Sequence, residues 1–514
     1  MSQVRSPEFT GLRSYLWPVH AHELKKIIPM IIMLAFVALD YTILRNLKDA
    51  LVITARGSGA EVIPFIKVWG MLPAAVVAAM LFSFLLNRYS RSTVIHIIIL
   101  SFTAFFVFFT CFVYPNRELL HPHASADFLE TILPLGCKGL IAMYRNWTLT
   151  CFYIISELWG TIVLQVLVWG FANEITKLNE APRFYSVMVI ASNIATICAG
   201  QIAVALSSSE FDSSLGFGHD AWEQTMTKIL VLVVTLALIA LFAFRWMNKH
   251  VLSHTEYLPT DSERSPKKHP TKKLSFRESL MCLAQSKHLL GIATIVISYN
   301  LVINLVEIIW KDRLRLLYPS AVDYNVYINN LVSAVGIIST LVSIMMAGII
   351  NRLGWTKIAL MTPCVLFITS AAFFGCLFGG DAIAPYLSSA LGTTPLALAV
   401  LLGSMQNCFS KAAKYSVFDA TKEIAFIPLD REEKMQGKSA IDGIGSRMAK
   451  AGSSVVHQGF LLFFGTLSNS APYVALIVVA VIAVWILAVR ALGRELRPFM
   501  EERATSSVAQ LSAT

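Results

Sequence analysis

The chain has 514 residues, of which 56% are hydrophobic and 14% charged. Soluble domains carry roughly 25% charged residues, so this composition excludes a soluble enzyme and marks a polytopic membrane protein. The formal net charge of +10 is not gathered into a basic soluble domain of the kind nucleic-acid binding needs, so no nucleic-acid partner is expected.

Residues 1–26 are polar and lead into the first apolar run through Lys25 and Lys26 without a small-residue cleavage site, so no cleaved signal peptide is expected. A membrane span needs about 20 apolar residues to cross roughly 30 Å of hydrocarbon. Helices are predicted near 27–52, 62–86, 93–114, 143–174, 182–207, 225–248, 287–316, 322–350, 357–380, 388–422, 438–466 and 470–494. The fold class is therefore an all-α membrane protein of twelve transmembrane helices.

Residues four, seven and eleven apart share a helical face, and several predicted helices carry polar stripes on such a face. Helix 1 presents Tyr41, Arg45 and Lys48, with Asp40 and Asp49 at its edges. Helix 4 presents Glu157, Thr161 and Gln165, and helix 5 presents Ser186 and Asn193. A Pro-, Ser- and Lys-rich stretch at 249–286 follows helix 6 and reads as a linker. Beyond it, helix 7 aligns Asn300, Asn304, Glu307 and Lys311, and helix 10 aligns Lys411, Tyr415, Phe418 and Lys422. In helix 11, Lys438 and Asp442 lie one turn apart while Arg447 points elsewhere.

The linker divides the chain into an N-terminal segment at 1–26, a six-helix half at 27–248, the linker at 249–286, a second six-helix half at 287–494 and a tail at 495–514. Helix 1 ends Lys48-Asp49-Ala50-Leu51 and helix 7 ends Lys311-Asp312-Arg313-Leu314, a weak repeat that joins Ala199-Gly200 against Ala451-Gly452. Loops after even-numbered helices hold Arg88, Arg91, Lys177, Arg183, Lys267, Lys268, Lys272, Lys273, Arg352 and Lys357, so the N-terminal segment, the linker and the tail are expected to be cytoplasmic. Six plus six helices with both termini on one side match the major facilitator architecture, in which substrate sits near the midplane between the halves.

Lys48, Glu157, Glu307 and Lys438 each lie in or against an apolar run. A charge at bilayer depth costs about 2.5 to 3.5 kcal/mol on insertion scales, so it is rarely retained without a partner or an aqueous path. Plainer readings stay open: Lys48 and Lys311 stand near helix ends, where a lysine can snorkel to the interface, Lys438 and Asp442 can form a self-neutralising local pair, and the aromatics of helix 10 can be packing. Several cations suit phosphate groups, and amides with an aromatic face suit a purine, so a nucleotide satisfies both parts of the pattern. Carboxylates do not bind polyphosphate, which casts Glu157 and Glu307 as partners of the lysines when the site is empty or changing side.

The eight cysteines are scattered without a CxxC pair and the eleven histidines are dispersed, so no disulfide frame, metal site, cofactor or catalytic constellation is expected.

The strings ILRNLKDAL, GSGAEVIPFIKVWG, SELWGT, VLVWGFANEIT, NLVEIIWKDRL and QGKSAIDGIGSR resemble the ATP/ADP translocases of obligate intracellular bacteria and plastids, most of all the chlamydial members, from about Pro18 to Gly452. The resemblance implies import of host ATP in exchange for bacterial ADP, with inorganic phosphate accompanying ADP, by a multi-pass protein of the bacterial inner membrane. It implies that Lys48, Glu157, Glu307 and Lys438 are essential for transport. The reading of the residues themselves adds Arg45, Asn193, Asn304, Lys311, Tyr415, Asp442 and Arg447 to Lys48 and Lys438 as candidates for nucleotide contact. The chain is expected to act as a monomer in the lipid bilayer. Asn46 and Leu47 beside Lys48, and Arg56, depart from the family strings and leave the subtype open, because some members are proton-coupled nucleotide importers. Gly437-Lys438-Ser439 is not the end of a P-loop, since GxxxxGK[ST] requires Gly where this chain has Glu432. ATP is accordingly cargo, and no ATPase is expected.

Overall fold

A computed structural model describes residues 17–177, 180–208, 210–252 and 286–511. In hydrocarbon no water satisfies the backbone, so an apolar stretch must hydrogen-bond within itself, and each of the twelve expected stretches is helical: α1 (Leu24–Ile53), α2 (Val62–Arg88), α3 (Arg91–Val113), α4 (Trp147–Ile175), α5 (Ala181–Leu206), α6 (Ala221–His250), α7 (Lys287–Leu317), α8 (Ala321–Leu353), α9 (Trp355–Leu391), α10 (395–425), α11 (431–464) and α12 (Leu467–Leu511). Ten of these helices are long and apolar enough to cross a membrane among the described residues. The other two, α10 and α11, are more polar and each contains a wide π-helical turn, at Lys414–Phe418 and Ser439–Gly445. The expected linker lies almost wholly outside the described residues.

Local chemistry sets the helix starts. Ser90 begins α3 by accepting from the Thr93 amide at 3.3 Å, and Asp220 begins α6 by accepting from the Glu223 amide at 2.7 Å. Thr394 caps α10, accepting from the Ala397 amide at 3.2 Å, with Pro395 in the first turn, where its missing N–H costs nothing. Three short helices, Arg117–Leu120, His123–Ile132 and Lys138–Arg145, fill the α3–α4 connection. A search for apolar runs of span length passes over them, because each is far too short to cross a bilayer.

The two halves are built alike. In the first, α1 packs against α4, α5 and α6; in the second, α7 packs against α10, α11 and α12. This places α1 and α7 in equivalent positions, and the wide turn at Trp159–Val168 of α4 has its counterpart in α10. The outward face of α2 exposes Trp69, Val76, Val77, Met80, Leu81 and Phe84, an apolar surface that suits lipid and would be unusual facing water.

The halves meet along two seams. Along α5 and α8, Gly200 lets the backbones close: a Cβ there would stand 2.4 Å from the Asn329 carbonyl oxygen and 2.2 Å from Ser333 Oγ. Ser333 donates to the Ile197 carbonyl at 2.9 Å, and Asn325 donates to Ser207 Oγ at 3.2 Å. Along α2 and α11, Gln458 donates to the Pro64 carbonyl at 2.8 Å and accepts from Trp69 Nε1 at 3.2 Å. The α3–α4 connection reinforces this seam, since a Cβ on Gly136 would lie 2.3 Å from the Leu461 carbonyl oxygen. All of these contacts stand toward the end of the bundle where α1, α5 and α11 finish and α2 and α8 begin, away from the chain termini.

Candidate functional site

Where α1 and α7 face each other, their last turns bring charges from both halves together. Lys48 Nζ lies 3.0 Å from Asp49 Oδ1 and 3.3 Å from Glu157 Oε2 of α4. Its ammonium also sits 3.6 Å from the centre of the buried Tyr153 ring, within cation–π range. Across the seam, Lys311 Nζ stands 2.9 Å from Asp49 Oδ2 and 3.1 Å from Glu307 Oε1. Asp49 therefore bridges a lysine from each half. The helical spacing explains the second half of this arrangement, because Glu307 and Lys311 are one turn apart and project from one face.

The expected asparagine stripe of α7 turns toward the other half. Asn304 ties its amide nitrogen to the Asn300 carbonyl at 2.8 Å and offers its side-chain oxygen to Lys67 Nζ of α2 at 3.1 Å. Asn46 of α1 donates to Asn329 of α8 at 2.8 Å. Around this core, Glu307 interacts electrostatically with Lys411 of α10 as well as with Lys67, and Lys450 of α11 interacts with both Glu157 and Glu307. Arg45 stacks over Tyr41 at 5.6 Å.

The charge balance is lopsided. The cations Arg45, Lys48, Lys67, Lys311, Lys411 and Lys450 outnumber the acids Asp49, Glu157 and Glu307 in this one neighbourhood. Buried Lys48 and Lys311 are matched by carboxylates; the partly exposed cations around them are in surplus. Excess positive charge beside aromatic side chains suits an anion with an apolar or aromatic part.

Of the residues singled out by sequence, Lys48, Glu157, Glu307, Lys311 and Asn304 converge here, with Arg45 and the exposed Tyr415 at the rim. Lys438 does not join them. It pairs with Glu423 at 2.7 Å, while Asp442 pairs with Lys422 at 2.9 Å, so the local Lys438–Asp442 pair that the sequence left open is not formed: each residue is taken by α10. The reason is geometric, because α10 ends alongside the start of α11 and supplies both Lys422 and Glu423 at the contact. The acids Glu157 and Glu307 accordingly partner Lys48 and Lys311, with Lys438 engaged elsewhere. Asn193 and Arg447 are exposed on α5 and α11, and Arg447 interacts electrostatically with Lys450.

Sequence reasoning passed over Lys67, Lys450 and the bridging role of Asp49. Lys67 sits inside IPFIKVWGMLP, so the rule that selected Lys48, a charge within an apolar run, selects it equally. The role of Asp49 had no such signal, because it depends on α7 arriving opposite α1.

The family model described as TLC ATP/ADP transporter matches residues 2–496. The sequence is 41% identical over 495 residues to ADP,ATP carrier protein 1 of Chlamydia trachomatis, covering 96% of this chain and 93% of that one. It is 37% identical over 487 residues to the chloroplastic ADP,ATP carrier protein 2 of Arabidopsis thaliana, covering 95% of this chain and 77% of the other. Among solved structures, a bacterial homologue of the iron transporter ferroportin in an inward-facing state superposes with a TM-score of 0.55 at 11% identity, over 92% of this chain and 100% of that one. A D-xylose-proton symporter superposes with a TM-score of 0.53 at 12% identity, over 92% and 97%. These two likenesses fix the fold as that of the major facilitators and nothing finer. With the family model spanning nearly the whole chain, this multi-pass membrane protein is a transporter and not an enzyme, and it belongs to the ATP/ADP transporter family.

Proposed function

We propose that the chain exchanges ATP for ADP across a bacterial inner membrane, importing ATP, by rocking its two halves about the charged seam. The observation that carries this reading is the surplus of cations between the halves, set beside an aromatic rim: a nucleoside polyphosphate matches both. The named ADP,ATP carriers among its relatives supply the cargo. Basic residues at the ends of α2, α4 and α12 support cytoplasmic termini, and the seams close the end away from those termini, which leaves the site open toward the cytoplasm. Inorganic phosphate accompanies ADP through the same cation-rich passage. One chain supplies every member of the cluster, from α1, α2, α4, α7, α10 and α11, which supports a monomer as the working unit.

Exchange requires that an empty carrier reorient slowly, and the bridge Lys48–Asp49–Lys311 provides that barrier by tying the halves at one end. Proteoliposomes loaded with ADP and given labelled ATP test the reading. Uptake dependent on internal ADP is expected; equal uptake into empty vesicles overturns obligate exchange. Uptake that follows an imposed pH gradient and ignores internal nucleotide makes the protein a proton-coupled symporter instead, with Glu157 or Glu307 as the proton site.

A further inference from the structure

The lysines of the central cluster fall into two chemically different sets. Lys48 and Lys311 each contact two carboxylate groups within 3.3 Å and are buried. Lys67 and Lys411 are half-buried, and among the described residues neither has a carboxylate within ion-pair distance. The hydrogen bond of Lys67 goes to a neutral amide oxygen, Asn304 Oδ1 at 3.1 Å, in the opposite half. Lys67 reaches α7 from α2 through Asn304, and Lys411 stands on α10, which packs against α7.

An ammonium already shared between two carboxylates gains little from a phosphate, because its charge is compensated and its donors are engaged. A half-buried ammonium facing only a neutral oxygen gains a full charge-assisted hydrogen bond. We propose that the polyphosphate of the nucleotide is held by Lys67 of α2 and Lys411 of α10, one from each half, while Lys48 and Lys311 serve the bridge that ties the halves together. The inference rests on the nucleotide reading above and assigns its phosphate contacts. Glu307 is held by Lys311 at 3.1 Å, so an arriving phosphate meets two ammonium groups that no carboxylate has claimed. Arg45 and Tyr415 stand at the rim, on the side left for the base.

The test measures binding rather than transport. Purified full-length protein in detergent is titrated with ATP and with inorganic tripolyphosphate, for the unsubstituted chain and for Lys67→Gln, Lys67→Arg, Lys411→Gln and Arg91→Gln. Loss of one charge-assisted hydrogen bond is expected to weaken both ligands about tenfold or more in Lys67→Gln and in Lys411→Gln. Lys67→Arg, which keeps the charge, is expected to stay within about threefold, a rescue that a merely structural role does not predict. Arg91→Gln, which removes an exposed cation outside the cluster, is expected to bind ATP within about threefold of the unsubstituted chain.

If Lys67→Gln loses its thermal transition without ligand, Lys411→Gln carries the measurement. ATP affinity within about twofold of the unsubstituted chain in both Lys67→Gln and Lys411→Gln overturns the assignment, and so does a loss in Arg91→Gln as large as in Lys67→Gln. If the unsubstituted chain binds tripolyphosphate and not ATP, the phosphate seat stands and the nucleotide reading fails. If it binds neither, both fail.

Discussion

Two lysines that look alike in sequence, Lys48 and Lys438, end in unlike places. Lys48 is 4% exposed, lies where the halves meet and shares Asp49 with a lysine of the other half. Lys438 is 44% exposed and joins α11 to α10 within one half, through Glu423. A half that rocks as a body carries its internal ion pairs along unchanged, whereas a pair that spans both halves must break each time the passage changes side. On the exchange reading proposed above, the same residue type would act on the switching step in one place and on the rigidity of the moving part in the other.

The contrast is broken most severely by Lys48→Glu. Reversing one member of a buried pair leaves unpaired charge, at a cost of about 3 to 5 kcal/mol, so exchange in proteoliposomes is expected to fall more than about 100-fold. The paired change Lys48→Glu with Glu157→Lys is expected to remain inactive, because Asp49 then faces a carboxylate at position 48. Recovery of exchange in that double variant would show that Asp49 is dispensable to the bridge.

Lys438→Glu sharpens the other side. It places like charges at a half-exposed contact, with an expected loss of about tenfold in exchange, and adding Glu423→Lys is expected to restore most of it because that pair is local. A failure of rescue, measured in the same exchange assay, would assign Lys438 a role beyond holding α10 to α11.

These differences also show how much the residues disclosed before the chain was folded. The helices were legible nearly throughout, since hydrocarbon leaves a 20-residue apolar run few alternatives to a helix. The polar face of α7 was legible as well: Asn304, Glu307 and Lys311 do face the opposite half. Partner choice was not. Asp442 lies one turn from Lys438 and still pairs with Lys422, which is 20 positions away, because helical spacing reports one helix at a time and the neighbour that completes the contact comes from another. Lys67 was legible and unread, while Asp49 gained its role only through tertiary packing.

The seam offers a milder way to alter the balance between states. Gly200→Ala places a Cβ 2.4 Å from the Asn329 carbonyl oxygen, closer than packed atoms allow, so α5 and α8 must separate. Overpacking of this kind costs about 1 to 3 kcal/mol, and the closed end is expected to loosen by a comparable amount. A cysteine at Ser207, whose hydroxyl accepts from Asn325 at that end of the seam, is expected to react faster with a membrane-impermeant thiol reagent in the Gly200→Ala background. Labelling unchanged from the parent would mean that the gap is taken up within one helix rather than between the halves.

The smallest effect is expected where one charge of an exposed pair internal to a half is removed rather than reversed. Arg91 of α3 pairs with Glu174 of α4, and both side chains are well exposed, at 40% and 54%. Exposed pairs contribute about 0 to 1 kcal/mol, because water screens the attraction and two long side chains lose freedom in forming it. Arg91→Ala is therefore expected to leave exchange within about twofold and the thermal midpoint nearly unchanged. The measurement matters because Arg91, like Lys438, joins consecutive parts of one half near the end of the bundle that carries the chain termini. If Arg91→Ala lowers exchange as far as Lys438→Glu does, internal rigidity alone governs that end of the molecule. If only the Lys438 variant responds, the contact between α10 and α11 has its own part in the change of state, and the wide turns beside it are where that motion is absorbed.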